Sequence, residues 1–105
     1  MIGGQVASYE LLFYGGPKGY QTNRAQIYLL DAEGRALAFV RFKDPGMKFQ
    51  KDVVLPDGFI RMHLPSAMFH SVLDVLRNEK PVYVWFPGEN GFLGTSEEPI
   101  GEGEA

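Results

Sequence analysis

Between Phe59 and Glu79 the spacing of apolar residues changes period. Phe59-Ile60-Arg61-Met62-His63-Leu64 alternates in twos, as a half-buried strand does, and the stretch from Pro65 onward repeats every 3.6 residues. Phe69, Val72, Leu73 and Leu76 stand at i, i+3, i+4 and i+7, with Met68 and Val75 widening the stripe. Ser66, His70, Ser71, Asp74, Arg77 and Asn78 take the opposite side. This pattern predicts one amphipathic helix over about residues 65–79. Pro65 suits its first turn, where a missing N–H costs nothing, and Pro81 forbids continuation past Lys80.

Elsewhere the period is two. Val6 to Tyr14, Asn23 to Leu30 and Arg35 to Lys43 read as strands, the last two joined by the turn residues Asp31-Ala32-Glu33-Gly34. Asp44 to Asp57 reads as a long loop with room for a short strand at Val53-Val54-Leu55. After the helix, Val82 to Phe86 and Phe92 to Thr95 flank Pro87-Gly88-Glu89-Asn90-Gly91 as a second hairpin. The expected fold is α+β: a curved antiparallel sheet of about five to seven strands on one helix, in the order β-β-β-(β)-β-α-β-β. Residues 1–96 are expected to form one domain, and residues 97–105 a mobile acidic tail.

Strand alternation divides the side chains into two sets. Ala25, Ile27, Leu29, Ala36, Ala38, Val40, Phe42, Ile60, Met62, Leu64, Val82, Val84 and Phe86 make an apolar seat for the helix. The other set is Arg24, Gln26, Tyr28, Leu37, Phe39, Arg41, Lys43, Arg61, His63, Tyr83 and Trp85, in which bases and aromatics mix without a carboxylate. Arg24, Tyr28, Phe39, Arg41, Lys43, Arg61, His63, Tyr83 and Trp85 are therefore the candidate site. Two uses fit it. Tyr, Trp, Phe and Arg are enriched at protein contacts, which points to a homodimer or higher homo-oligomer through this face. Bases of a single-stranded nucleic acid could also stack on the aromatics while the cations meet phosphates. A small-ligand pocket or enzyme site is a third, less specific use.

Composition narrows the field. The chain has 105 residues and no cysteine, which removes disulfides, thiolate catalysis and cysteine zinc sites. No signal peptide, myristoylation motif or long apolar run is present near the start, so a cytoplasmic protein with no membrane partner is expected. The net charge is −3, but Glu97, Glu98, Glu102 and Glu104 account for four of thirteen acidic residues, leaving nine against ten bases elsewhere. If the basic face binds a strand, that acidic run should compete for it.

No catalytic constellation emerges, and the chain is expected not to be an enzyme. Ser66, His70 and Asp74 share a helix face but lie on its solvated side, without the pocket that a serine nucleophile needs. The glycines of Gly15-Gly16-Pro17-Lys18-Gly19 lack phosphate-loop spacing. Asp44, Asp52 and Asp57 lack Ca²⁺-loop spacing, and His63 and His70 are the only histidines, so neither a metal nor another cofactor is expected.

The order of strand, Asp-Ala-Glu-Gly turn, strand, long loop, Gly58-Phe59-Ile60, then Leu64-Pro65 opening a helix with Phe69 and Leu73, resembles the single-stranded-DNA-binding transcriptional coactivator and Whirly fold. The resemblance covers roughly residues 24–78. It implies a curved sheet backed by a helix, assembly into a dimer or ring, and nucleic acid on the sheet. Leu76-Arg77-Asn78-Glu79-Lys80-Pro81-Val82 and the ending Ser96-Glu97-Glu98-Pro99-Ile100-Gly101-Glu102-Gly103-Glu104 are similar to a family of short bacterial proteins with no assigned activity.

Overall fold

The computed structural model describes residues 2–96. Its elements are β1 (Gly3–Val6), β2 (Ser8–Phe13), β3 (Ala25–Leu30), β4 (Ala36–Lys43), β5 (Val53–Val54), β6 (Ile60–Pro65), a 3₁₀ turn (Ser66–Met68), α1 (Phe69–Asn78), β7 (Val82–Trp85) and β8 (Phe92–Thr95). The class is α+β, with strands dominant and one helical segment. The acidic tail lies outside the described residues.

The strands form two sheets instead of one. One has five strands in the order β2-β3-β4-β6-β5 and the other three in the order β1-β7-β8. The strand expected from Val6 to Tyr14 is β2, shortened to Ser8–Phe13, and a further strand that was not expected, β1, precedes it: β1 pairs with β7, the chain passes Ala7, and β2 pairs with β3, each as a sheet edge. All pairings are antiparallel except β4 with β6, which is parallel. That exception follows from the loop between them. A parallel neighbour requires a long crossover, and the chain from Asp44 to Phe59 provides it. On the way, β5 pairs antiparallel with β6 and becomes the sheet edge.

The helix stripe is buried as its period requires. Phe69 and Val72 are buried, and Leu73 and Leu76 are partly buried against the core. Phe69 anchors it: its ring lies 5.0 Å from Phe42 of β4 and 5.0 Å from Phe13 of β2. Ile27, Leu29, Ala38, Val40, Ile60 and Met62 of one sheet and Val84 of the other complete the same core. The two sheets therefore share one apolar interior and each turns an opposite, outer face away from it.

Leu37 departs from the alternation. Between β3 and β4 the register shifts so that Leu29 faces Ala38 while Leu30 faces Ala36, leaving Leu37 as the extra residue of a bulge. Instead of joining the outer face, Leu37 packs toward the core beside Gly4 of β1. The β7–β8 hairpin is seated just as closely. A side chain at Gly91 would collide with Met62, and the Gly91 N–H donates to Asp52 Oδ2 at 2.9 Å. Asp52 Oδ1 in turn accepts from the His63 N–H at 2.9 Å, so one carboxylate ties the long loop, β6 and the second hairpin together.

Candidate interaction faces

The topology separates the candidate residues. Tyr28, Phe39, Arg41, Lys43, Arg61 and His63 belong to the five-stranded sheet, whereas Tyr83 and Trp85 lie on β7 of the other. They do not make one continuous platform, because β7 pairs with β1 and β8 and with no strand of the five-stranded sheet.

On the five-stranded sheet, register places Tyr28 opposite Phe39, Phe39 opposite Arg61 and Arg41 opposite His63. The buried Phe39 ring is the centre. Tyr28 meets it edge-on at 5.8 Å, and the guanidinium carbons of Arg41 and Arg61 lie 5.2 and 5.8 Å from its centroid. Such cation–ring contacts contribute about 0.5–2 kcal/mol and hold both guanidiniums against the sheet. Arg41 Nε donates to Gln26 Oε1 at 2.9 Å, which fixes its rotation. Arg61 Nε is buried without a partner. Burial first, and the neighbouring Arg61 charge second, push the Arg41 pKa below its ordinary value. Tyr14 adjoins the group: burial, then its proximity to Tyr28, raise its phenol pKa, and the Arg41 charge opposes them.

Three predicted cations serve the fold instead. Arg24 Nε donates to Asp44 Oδ2 at 2.7 Å, and its other nitrogens reach the carbonyls of Tyr14 and Pro17. That bond, joined by one from Ser66, holds the Asp44 carboxyl below its usual range. Lys43 is buried, its Nζ donating to Thr22 O at 2.9 Å and Thr22 Oγ1 at 3.2 Å, and burial lowers its pKa. His63 is buried beside Asp52, with Nδ1 3.4 Å from Oδ1 and Nε2 unpartnered. Burial lowers its pKa, and Asp52 only partly opposes this.

Among the described residues, neither Arg41 nor Arg61 has a carboxylate within 4.0 Å; the ion pairs are made by Arg24, Arg35 and His63. A further carboxylate stands in register on the face. Register sets Glu10 of β2 in line with Tyr28, Phe39 and Arg61, three strand spacings or about 14 Å from Arg61. Alternation within β2 does not say which of its sides joins the cationic face, so Glu10 is placed there only by its register with Tyr28.

The outer face of the three-stranded sheet differs. Register sets Gly3 and Phe92 on either side of Trp85, and Gln5 and Gly94 on either side of Tyr83. No charged residue stands among them. Trp85 stacks on Phe92 at 5.3 Å and 25°, and Phe92 is 46% exposed. Its indole lies over Gly94, where a side chain would press on the ring. A depression of about 310 Å³ opens between Tyr83 and Trp85.

The remaining candidates do not converge. Ser66 bonds Asp44, His70 sits edge-on to Phe69, and Asp74 accepts from Asn78 Nδ2 at 2.7 Å. Among the described residues there is no cluster of three metal-ligating side chains and no helix long and apolar enough to cross a membrane. No family model, curated protein or solved structure matches the chain. The functional reading therefore rests on the two outer faces.

Proposed function

We propose that this protein is a non-enzymatic interaction domain that self-associates through the outer face of its three-stranded sheet. The observation that carries this reading is the Trp85–Phe92 stack, with Phe92 exposed, in a register patch of Gly3, Gln5, Tyr83 and Gly94 that holds no charged residue. In a two-fold contact the same patch meets itself, which an uncharged aromatic surface tolerates and a pair of unpaired guanidiniums does not. The depression between Tyr83 and Trp85 gives a partner's side chain a place to lie. Light scattering across a dilution series tests it. A mass that rises with concentration in the wild type, and stays monomeric with Trp85→Ala and Phe92→Ala combined, is expected. A wild-type mass that remains monomeric at every concentration would end this reading.

A second reading, single-stranded nucleic acid on the five-stranded sheet, is supported by Arg41 and Arg61, which lack carboxylate partners among the described residues. Fluorescence anisotropy of a labelled oligonucleotide should show affinity that weakens with salt, the slope reporting the number of phosphates contacted. Removing residues 97–105, with their four glutamates, should tighten it. No binding at low salt by either form would dismiss it.

A further inference from the structure

A sheet that binds a nucleic-acid strand needs several cations spread along it, enough to follow the backbone. With Arg24 ion-paired to Asp44 and Lys43 enclosed by Thr22, the cations on that face with neither a carboxylate nor a carbonyl of the backbone as partner among the described residues are Arg41 and Arg61, both over one ring. Two adjacent guanidiniums do not track a strand. They suit a single compact anion, and a doubly charged one relieves the repulsion that holding two cations together imposes.

We infer that Arg41 and Arg61, with the Tyr28 ring beside them, form a receptor for one phosphate monoester carried on a planar ring, which is the chemistry of a nucleoside 5′-monophosphate. Each guanidinium presents paired N–H groups that match phosphate oxygens. Gln26 occupies Arg41 Nε, so the outer edge of that fork is left for the ligand, while Arg61 Nε retains an unmet donor. Tyr28 is half-buried, its ring inclined at 65° to Phe39, and that ring can stack a base next to the phosphate. The inference shares residues with the strand-binding reading but does not need a strand. The same chemistry could come from a free nucleotide or from the phosphorylated 5′ end of a strand.

Calorimetry and amide-plus-arginine Nε NMR on the full chain separate the possibilities. Adenosine 5′-monophosphate should bind and shift the Arg61 Nε signal, inorganic phosphate should bind roughly tenfold more weakly for want of stacking, and adenosine should not bind. Arg61→Lys keeps the charge but loses the fork, and should weaken binding about tenfold; Arg41→Gln should act similarly, with the melting temperature confirming that both variants fold. A 5′-phosphorylated oligonucleotide binding more tightly than the free nucleotide would assign the strand end as the source, and the reverse would assign the nucleotide. Equal binding of 5′-phosphorylated and 5′-hydroxyl strands would overturn the inference while leaving the strand reading intact. Binding of adenosine as tight as its monophosphate, unchanged affinity in both arginine variants, or no response to any phosphate would also overturn it.

Discussion

The two outer faces of this molecule are made from the same ingredients in different proportions. Each centres on an aromatic side chain, Phe39 in the middle of β4 on the five-stranded sheet and Trp85 at the end of β7 on the three-stranded one. What surrounds that ring differs. Phe39 is flanked by Tyr28 and Arg61 in register and covered by two guanidiniums, so it is buried and the surface presented is cationic. Trp85 is flanked by Gly3 and Phe92, and the surface presented is the ring system itself. Flanking residues, more than the central aromatic, decide what a face can bind. On the proposed reading, the first suits an anion and the second suits its own copy.

The faces share the core beneath them, and the largest expected effect lies there. Phe69→Ala removes the ring that joins β2, β4 and the helix, and should cost about 3–5 kcal/mol in urea denaturation, with loss of both faces together. Retention of near wild-type stability would mean that the helix is not what holds the sheets. Asp52→Ala follows. It leaves the His63 and Gly91 N–H groups without their acceptor, at about 1–3 kcal/mol each, and loosens the hairpin bearing Trp85 and Phe92 from β6. Self-association should weaken with it, whereas an unchanged melting temperature would show that Asp52 is not a tie.

The comparison is sharpest in a cross-test. Arg41→Gln with Arg61→Gln should lower oligonucleotide affinity more than tenfold, two charge-assisted contacts being lost, and leave the oligomer mass unchanged. Trp85→Ala with Phe92→Ala should do the opposite. If either pair moved both readouts, the faces would not be independent.

The smallest effect is one of pH. Burial keeps the His63 pKa below its ordinary 6.5, so below that pH the unfolded chain binds a proton that the folded chain refuses. The stability that neutral His63 contributes is complete above 6.5 and declines as pH falls from there toward the depressed value. Asp44 has the same sign in a more acid window: its carboxyl is held below 3.8, and its contribution is lost as pH falls through that lowered value. His63→Gln should flatten the first decline in thermal melts and leave the second, and a decline unaltered by that change would assign it elsewhere.

Local periodicity alone determined the helix stripe of Phe69, Val72, Leu73 and Leu76, the Asp31–Gly34 turn and the inward residues of β3, β4 and β6, because burial imposes 3.6 or 2 on any amphipathic element. The class and helix count followed from that. Pairing did not, since it depends on contacts far apart in sequence. Nothing local distinguishes a parallel β4–β6 neighbour from an antiparallel one, or says that β7 pairs with β1 and β8 and so carries Tyr83 and Trp85 away from Phe39. The fate of each cation was equally a tertiary matter. Arg24, Lys43, Arg41 and Arg61 look alike in an alternating strand, but Asp44 and Thr22, brought from loops, engage the first two and leave the last two to whatever anion arrives.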